Sequence, residues 1–452
     1  MTAGLQRIME PAAYGPGPLD GCYWRQTAAP PVSPAVEGDV SCEIAVIGAG
    51  VTGLSAALRL AEAGADVAVI DAHGPGWGAS GRAGGFCCLG GAKLSDATLR
   101  RRYGADEAAR YALAEREAVE LVAALMEAHG IAADRHSEGE TMLAHAPARI
   151  ADLHDRTAEI EARYGLAARV VPRAELAQQG MASPEFHGAV TVPIGFALNP
   201  LKYALGLAAA ARQAGARVFG DSPVTEISAE GGGHRLRCPA GTLRARRLVL
   251  ATNGYSSENL PRWLAGRTLP MPSNILVTRP LSAEERAAQG WTSRQMCYDT
   301  RDHLHYFRLM PDDRMLFGVR GRLGAQAWEA TRSAARADFE RIFPAWRHVE
   351  TPHFWQGLVC LSRKLAPYVG PLGDMPSAVA ALAYHGNGIA MGTLAGRMAA
   401  DLTLGRDAGV PAVMAAPLAR FPLGRHRRWL LWGAGHWHRA RDALRGGLRA
   451  GA

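Results

Sequence analysis

The amino-acid sequence predicts an α/β fold that contains a parallel sheet, and three observations carry this prediction. The stretch EIAVIGAGVTGLSAALRLAEAGADVAVID (43–71) follows the order strand, turn, helix, strand. Helical and strand patterns then succeed one another as far as residue 254, and an apolar, glycine-rich pattern returns at 355–404. Such alternation is typical of parallel sheets that are covered by helices.

The first strand is the apolar run at 44–47 and the second is the run at 67–70, and both have the pattern of buried parallel strands. Between them, small and apolar residues recur at helical spacing over 54–61, and Gly64 ends the helix. These three elements form the first βαβ unit of the predicted sheet.

Other elements follow in order along the chain. Residues 98–175 are mostly helical, with one short strand pattern, ETMLAHA, among them. A further helix begins at Pro200, with Asn199 as its N-cap. Strand patterns fill 216–254, and a mixed segment spans 265–354. The Pro- and Gly-rich residues 1–40 show no sustained period and predict an extended arm.

Length and composition predict a globular protein of two joined domains. At 452 residues the chain exceeds what one hydrophobic core usually supports, and 48% hydrophobic with 20% charged residues is ordinary for a globular chain. The sequence has no apolar run of about 18 residues and no secretory leader pattern. With seven scattered cysteines, these features favour a cytoplasmic protein with reduced thiols.

The net charge of +8 is concentrated near the C-terminus. Residues 420–452 hold eight arginines against Asp442 alone, so the rest of the chain is nearly neutral. A local basic tail does not indicate nucleic-acid binding. Because the tail also carries tryptophans, an interfacial helix on an anionic membrane is one interpretation. Its glycines weaken a long helix, which favours packing against the body of the protein.

A glycine motif lies between the first strand and the helix. Gly48, Gly50 and Gly53 form the pattern G-x-G-x-x-G, which permits a tight turn, close approach of a pyrophosphate, and packing of the helix on the strand. Asp71 ends the second strand, where an acidic side chain accepts hydrogen bonds from a ribose. Strand, glycines, helix and acid agree over 43–71 and predict a dinucleotide site.

Two later stretches bear on which dinucleotide binds. RRLVLATNGY (246–255) has the pattern of a buried strand with a tight exit at Asn253 and Gly254. ALAYHGNGIAMGTLAGRMAADLTLG (381–405) places glycines in a loop and along the helix that follows it. The free amides and positive end of that helix suit the pyrimidine edge of a flavin, where negative charge develops on reduction. Close helix packing by small residues is the alternative interpretation.

Together these stretches resemble a known family. IGAGVTGLSAALRLAEAGADVAVID, GASGRAGGF, LVLATNG and HGNGIAMGTLAGR occur in the order found in the FAD-dependent D-amino-acid/glycine oxidase (DAO) superfamily. YWRQTAAPP (23–31), YFRLMPDDRMLFGVRGR (306–322) and WQGLV (355–359) are similar to its γ-glutamylputrescine oxidoreductase-like branch. The likeness covers nearly the whole chain.

The resemblance implies a glutathione-reductase-like FAD-binding Rossmann domain, discontinuous in sequence, with an inserted α+β substrate domain whose sheet roofs the flavin. The segments would be an arm at 1–40, an FAD-binding domain at 41–97, 186–264 and 355–410, a substrate domain at 98–185 and 265–354, and a basic aromatic tail at 411–452.

The implied reaction is oxidation of the C–N bond of an amine or amino acid, including γ-glutamylated amines. Hydride passes to flavin N5 and the imine is then hydrolysed. Two alternatives stay open: a D-amino-acid dehydrogenase that passes electrons to a quinone, with the tail as its membrane contact, and a flavin-binding partner protein without turnover. The electron acceptor, O2 or a quinone, also stays open. An oxygen-activating lysine would have to be Lys93 or Lys364.

The residues implied to contact FAD lie in the glycine loop, in WGASGRAGGFCC (77–88), near the strand SPVTEIS and in the two later loops. Within 77–88, small residues keep backbone close to the cofactor, Ser80 and Arg82 offer contacts to pyrophosphate or flavin, and Cys87 and Cys88 are bystanders unless one of them forms a covalent bond to the flavin. The full set is Gly48, Gly50, Val51, Thr52, Gly53, Asp71, Ala79, Ser80, Gly81, Arg82, Gly84, Gly85, Val224, Thr252, Asn253, Gly254, Gly386, Asn387, Gly388 and Ile389.

At positions that would contact the substrate, this sequence differs from some members of the family. Sarcosine-oxidase relatives hold a substrate carboxylate with basic residues, and the matching positions here are Cys88 and Ala390, neither of which can do so. Arg308 and Arg320, on strand patterns of the implied roof, are the alternative carboxylate contacts, unless they are exposed sheet arginines.

Two further side chains are candidates near the reacting carbon. Tyr306 would form an aromatic wall that excludes water. His385 would accept a proton from an ammonium substrate, unless it is a loop histidine bonded to backbone. No metal site is predicted.

Overall fold

The computed structural model describes residues 4–321, 327–373, 375–431 and 433. Within these residues the strands form two eight-stranded sheets and one two-stranded sheet. The helices of four or more residues are Trp24–Thr27, Val51–Glu62, Asp96–Tyr103, Ala105–Ala128, Ile150–Tyr164, Arg173–Leu176, Pro200–Gln213, Ala283–Gln289, Ala327–Ile342, Ala390–Thr403 and Ala412–Ala415, apart from the 3₁₀ turns.

The first sheet has the parallel centre that the sequence predicts. Gly38–Ile47 pairs in parallel with Gly241–Leu250 on one side and with Val67–Ile70 on the other. Residues 44–46 and 67–70 are fully buried, as expected for strands that are covered on both faces. The strand order is Tyr368–Pro371, Ala378–Leu382, Gly241–Leu250, Gly38–Ile47, Val67–Ile70 and Arg217–Phe219, and Gly233–Arg237 and Glu226–Glu230 extend the sheet from Gly241–Leu250.

Three helices pack in one core on this sheet: Val51–Glu62, Pro200–Gln213 and Ala390–Thr403. The helix at 200 begins as predicted, since the Asn199 side chain accepts a hydrogen bond from Lys202 N. Small residues let two of these helices approach closely. A Cβ at Gly396 would lie 2.2 Å from Thr52 O, so only glycine fits this crossing.

The second sheet is mainly antiparallel. Its strands run in the order His353–Ser362, Thr268–Val277, Met315–Arg320, Tyr306–Leu309, Met296–Asp299, Glu140–Leu143, Gly188–Val192 and Val170–Pro172. Two of them, Gly188–Val192 and His353–Ser362, lie wholly or largely in segments that the sequence assigns to the FAD-binding domain. A short apolar run predicts a strand but does not say which sheet it joins.

The N-terminal segment, for which the sequence predicts an extended arm, folds onto the rest of the chain. Its turns Pro11–Tyr14 and Gly17–Leu19 and the short helix at 24–27 have no helical periodicity, but they bury apolar and aromatic side chains. Trp24 is 2% exposed and its Nε1 donates to Ala83 O at 2.9 Å. Side-chain burial, which composition alone does not reveal, fixes this segment.

The described part of the C-terminal tail also packs on the body. Arg427 is fully buried, its Nη2 donates to Glu258 Oε1 at 2.5 Å, and Arg428 pairs with Glu10 at 3.0 Å. The predicted membrane contact involves Trp432, Trp437 and the last four arginines, which lie outside the described residues. No helix in the described ranges is long and apolar enough to span a bilayer.

Candidate active site

A cavity of about 700 Å³ is lined by residues of both large sheets. The sequence-predicted site residues line it, with four exceptions: Gly53, Gly81, Gly254 and Arg308. The three glycines lie just behind the wall, where they let backbone segments pack closely. Residues that the sequence predicts from separate stretches of the chain thus surround one space.

The glycine loop leaves no room for side chains. Gly48 has φ +109°, and a Cβ there would lie 2.8 Å from Ala251 O. A Cβ at Gly53 would lie 1.8 Å from Gly48 O, so the helix packs directly on the strand. A Cβ at Gly50 would lie 2.8 Å from Ser80 Oγ. Each glycine of the motif is therefore required by its neighbours as well as by a ligand.

The helix that follows this loop points its N-terminus at the cavity. Its first backbone hydrogen bond runs from Leu54 N to Gly50 O, and Val51 N donates to Ser80 Oγ at 3.0 Å. The amides of Thr52 and Gly53 precede the first intrahelical bond, so they remain for an anionic ligand.

Asp71 and Val224 line the part of the cavity next to this loop. The Asp71 carboxylate accepts hydrogen bonds from Ala49 N at 2.8 Å and from His73 N at 2.9 Å. Burial raises the pKa of Asp71, although these amides act in the opposite direction. The carboxylate thus ties the glycine loop to the 71–74 turn at the predicted ribose position.

Arg82, in the stretch WGASGRAGGFCC, binds protein carbonyls. Its Nε donates to Trp77 O at 2.9 Å and its Nη1 to Gln356 O at 3.3 Å, and its guanidinium lies 4.2 Å from the Trp77 ring. Nη2 is buried and has no hydrogen-bond partner within the described residues. Arg82 therefore joins the loop at 77–82 to the strand His353–Ser362 and leaves a positive charge at the cavity wall.

Gly84 and Gly85 bring the chain close to two neighbours. Gly85 has φ +74°, and a Cβ there would lie 1.9 Å from Leu198 O. A Cβ at Gly84 would lie 2.7 Å from the Tyr306 ring. Backbone therefore forms the cavity wall at this place.

The loop at 384–389 faces the cavity from the other side. Gly386 has φ +107°, and a Cβ there would meet no protein atom within 4 Å, so its place opens into free space. Asn387 Nδ2 donates to Leu89 O at 2.8 Å, and Asn253 Oδ1 accepts from Ala383 N at 2.8 Å. Gly386 in the loop thus leaves room for a ligand, whereas Gly396 in the helix permits close helix packing. The ligand-binding interpretation therefore fits the loop, and the packing interpretation fits the helix.

His385 has both ring nitrogens engaged. Its Nδ1 lies 2.9 Å from Gly91 O, and its Nε2 accepts from Ser362 N at 3.1 Å. Burial lowers the pKa of His385 to about 4, so the ring is neutral. This is the geometry of a loop histidine bonded to backbone, and it gives no support to the predicted base.

Arg308 does not reach the cavity, which corrects its predicted role as a substrate contact. Its Nε donates to Gly84 O at 3.0 Å, Nη2 to Leu198 O at 2.8 Å, and Nη1 lies 2.8 Å from His136 Nε2. The loop at 84–85 covers this side chain. Burial lowers the pKa of Arg308 to about 9, and the guanidinium holds the loop in place.

Tyr306 and Arg320 do line the cavity from the second sheet. Tyr306 Oη lies 3.1 Å from Ser273 Oγ, and its ring meets Phe86 edge-on with 5.5 Å between centroids. Burial raises the pKa of Tyr306 to about 12, so its hydroxyl stays protonated. Tyr306 thus presents an aromatic side chain to the cavity, while its role beside a substrate stays a prediction, and Arg320 ends the neighbouring strand.

Cys87 and Cys88 are buried and free, and only Cys88 lines the cavity. Burial raises the pKa of Cys88 well above its usual value, so the thiol is protonated and a poor nucleophile. Its Sγ accepts from Asn387 Nδ2 at 3.2 Å.

Sequence reasoning missed two groups of cavity residues. Arg7 and Tyr14 come from the N-terminal segment, whose composition gave no signal for a site. The other group is a set of ionised side chains from helices and strands without a motif. Only Lys93 among them carried a signal, because lysine is rare in this chain and few lysines are candidates for flavin chemistry. Lys364 lies outside the cavity lining, and its Nζ donates to three carbonyls.

The residues around the cavity fit a dinucleotide that ends in a flat ring. The glycine loop and helix amides suit a diphosphate, the open space at Gly386 suits a ring close to backbone, and Arg82 adds a positive charge. Two observations support this fit: the free space next to the backbone, and the hydrogen-bond donors that have no partner among the described residues. A groove filled only with solvent would require neither.

Comparisons with known proteins agree with this fit. A family model described as DAO, FAD dependent oxidoreductase, matches residues 43–402. The probable oxidoreductase OrdL of Rhizobium meliloti is 29% identical over 93% of this chain and 97% of its own length. The γ-glutamylputrescine oxidoreductase of Escherichia coli is 30% identical over 86% of this chain and 90% of its own length.

Solved structures share the fold. Glycine oxidase from Geobacillus kaustophilus superimposes with a TM-score of 0.68 at 20% identity, covering 85% of this chain and 99% of that chain. L-proline dehydrogenase from P. horikoshii gives a TM-score of 0.66 at 18% identity, covering 88% and 99%. The predicted fold class and the predicted cofactor, FAD, are confirmed. The chain belongs to the DAO family of FAD-dependent oxidoreductases.

Proposed function

We propose that this enzyme oxidises the C–N bond of an amine or amino acid, with γ-glutamylated amines as the leading candidates. The observation that carries the proposal is the shape and lining of the cavity. Its lining includes the 384–389 loop, Tyr306 and a group of ionised side chains. A polar amine would find an aromatic wall at one end and charged partners at the other. The likeness to an enzyme named γ-glutamylputrescine oxidoreductase supports the same substrate class.

When bound, FAD would supply the acceptor for the two electrons and the hydrogen of the carbon next to nitrogen, and water would hydrolyse the resulting imine to a carbonyl compound and an amine. The chain positions the amine and keeps it neutral. Tyr306, Met271 and Leu304 line the cavity there and exclude water, which disfavours the charged ammonium.

The proposed reaction does not require a base among the side chains that face the substrate. His385 is neutral, and its Nε2 lone pair is taken by Ser362 N. The proton that an ammonium substrate loses therefore leaves through the cavity to solvent before the hydride moves.

The test is an anaerobic titration of the purified holoenzyme with a panel of amines. The panel contains γ-glutamylputrescine, N-acetylputrescine, putrescine, N-methyl amino acids and D-amino acids. We expect the oxidised-flavin bands to bleach with at least one amine. Bands that no amine bleaches would contradict the proposal and favour a flavin-binding protein without turnover. Bleaching by D-amino acids alone would instead point to a D-amino-acid dehydrogenase.

The same reduced enzyme separates the two electron acceptors. Return of the flavin bands in air indicates an oxidase, and return only with a soluble quinone analogue indicates a dehydrogenase. We place the enzyme in the cytoplasm, because its seven cysteines are free and buried, which suits a reducing compartment.

A further inference from the structure

The far end of the cavity is a chamber with ionised walls, which we call the charged chamber. Six of its lining side chains carry the argument: Lys93, Glu115, Glu140, Arg156, Arg163 and Arg320. They come from a loop, two helices and two strands, so the fold rather than a local motif assembles them.

The acidic members of the charged chamber are compensated by arginines. Glu115 accepts from Arg163 Nη2 at 2.6 Å and from Tyr164 Oη at 2.9 Å. Glu140 lies 3.7 Å from Arg156 Nη2. Both glutamates are about 95% buried, so these pairs offset a large desolvation cost.

Lys93 is different, because no carboxylate oxygen of the described residues lies within 4 Å of its Nζ. The residue sits deep in the protein, yet its side chain is accessible because it faces the open cavity. Its backbone is fixed, since Lys93 N donates to Leu365 O at 2.8 Å. The backbone of Lys93 is thus held in place while its side chain lines the cavity.

Arg320 faces the same space and acts on Lys93 as a like charge. Burial, followed by the charge of Arg320, lowers the pKa of Lys93, and the attraction of Glu140 and Glu115 does not outweigh them. Two cations that share a poorly solvated space repel each other unless an anion lies between them. The place also adjoins the 384–389 loop, because His385 Nδ1 lies 2.9 Å from the backbone oxygen of Gly91, two residues before Lys93.

We propose that Lys93 and Arg320 together bind a carboxylate of the substrate, so that the preferred amines carry a carboxylate at the end remote from the flavin. Arginine offers a planar fork for two carboxylate oxygens, and lysine adds a compact charge. This assignment rests on the proposed function, because it names the substrate that the same site takes.

The test uses the oxidised holoenzyme and ligands that cannot be oxidised. Straight-chain carboxylates from acetate to octanoate are titrated, each beside the primary amide of equal length, and binding is followed by the shift of the flavin bands. In the wild type at least one carboxylate should bind at least tenfold more tightly than its amide. Equal affinity of acid and amide throughout the series would overturn the proposal.

Variants of Lys93 and Arg320 test whether these two side chains bind the carboxylate. Lys93→Met and Arg320→Gln should each weaken carboxylate binding roughly 10- to 100-fold, the range expected for a hydrogen bond to a charged group, and leave amide binding within about threefold. Lys93→Arg should retain most of the affinity. Lys202→Met is the matched control, because Lys202 pairs with Asp134 outside the cavity. Unchanged carboxylate binding in both cavity variants would refute the assignment.

The experiments distinguish failure of the carboxylate site from failure of the proposed function. If carboxylates bind as expected but no amine bleaches the flavin, the carboxylate site stands and the proposed function fails. If amines bleach the flavin, and γ-glutamylputrescine and N-acetylputrescine respond equally to Lys93→Met, the proposed function stands and the carboxylate site fails.

Discussion

The two ends of the cavity are built from different parts of the polypeptide. At the cofactor end the wall is backbone: the glycine loop, the first amides of the helix Val51–Glu62 and the open space at Gly386. At the charged chamber the wall consists of long ionised side chains, with Lys93 and Glu140 from segments far apart in sequence. The path of the main chain determines the wall of the cofactor end, whereas the side chains that the fold brings together determine the wall of the charged chamber.

Because the two ends are built differently, we expect them to respond differently to substitutions. At Gly48, Gly50 and Gly53 the backbone wall has no room for an added atom, so enlarging one of these residues should abolish cofactor binding, whereas no charge there selects the substrate. A side-chain wall tolerates truncation without collapse, but each truncation should change which ligand binds. The predictions below test whether the two ends fail independently.

The largest effect is expected for Gly53→Val. A Cβ at this position would lie 1.8 Å from Gly48 O, so the helix must move away from the strand. We expect FAD affinity to fall by at least about 100-fold, and the purified protein to lack flavin. The ratio of visible flavin absorbance to protein absorbance measures this.

Gly17→Ala is the matched control, because no atom lies within 4 Å of a Cβ at Gly17. It should retain its flavin. A Gly53→Val protein that binds FAD normally would show that the cofactor end is more plastic than its geometry indicates.

A smaller loss is expected for Arg7→Ala. Arg7 lines the cavity beside Tyr14, with its guanidinium 4.4 Å from that ring, and it forms no ion pair within the described residues. We expect FAD affinity to fall roughly tenfold, because the substitution removes a positive charge from the lining of the cavity. Quenching of FAD fluorescence on titration with apoprotein gives the affinity.

Arg25→Ala removes an exposed arginine of the same N-terminal segment that does not line the cavity, and it should leave FAD affinity unchanged. Equal losses in both variants would mean that the segment acts only through net charge. No loss in either would confine cofactor binding to the glycine loops.

A pH effect of several-fold is expected at the charged chamber alone. Burial and Arg320 lower the pKa of Lys93, so the ammonium loses its proton at a lower pH than an exposed lysine does. Carboxylate affinity should be full below that lowered pKa and fall as the pH rises through it. Lys93→Arg should flatten the profile because arginine stays charged. FAD affinity, measured over the same range, should not follow this curve.

The smallest effect is expected for His385→Asn. Burial lowers the pKa of His385 to about 4, so the wild-type residue is already neutral at any working pH, and asparagine tolerates its positive φ. The pH profile of the anaerobic flavin-reduction rate should keep its shape. An inflection that is present in the wild type and absent from the variant would restore His385 as the base.

The sequence indicated many residues that line the cofactor end of the cavity, because they occur in short stretches whose backbone geometry restricts the residue type. Gly48, Gly50 and Gly53 can be found from their spacing, and Asp71 from its place at the end of a strand. The same reasoning located the 384–389 loop, since clustered glycines signal open backbone.

The charged chamber was predicted only in part: a strand pattern indicated Arg320 as a carboxylate contact, but nothing in the sequence joined Arg320 to the other members of the chamber. Glu115 and Glu140 occur in an ordinary helix and an ordinary strand, and only the tertiary fold brings them to Lys93. Arg308 shows a related difficulty. It shares a strand face with Tyr306, as the two-residue period requires, but the loop at 84–85 covers it. A sequence pattern gives the face of a strand and not what covers that face.

The scarcity of lysine has a practical consequence for labelling experiments. The chain has three lysines: Lys202 lies in a surface ion pair, the Nζ of Lys364 is held by three carbonyl oxygens, and Lys93 faces the cavity. An acylating reagent small enough to enter the cavity would react with Lys93 and would be blocked by whatever occupies the chamber. Peptide mass mapping of a single acylated residue would then report ligand occupancy, even for ligands that leave the flavin spectrum unchanged.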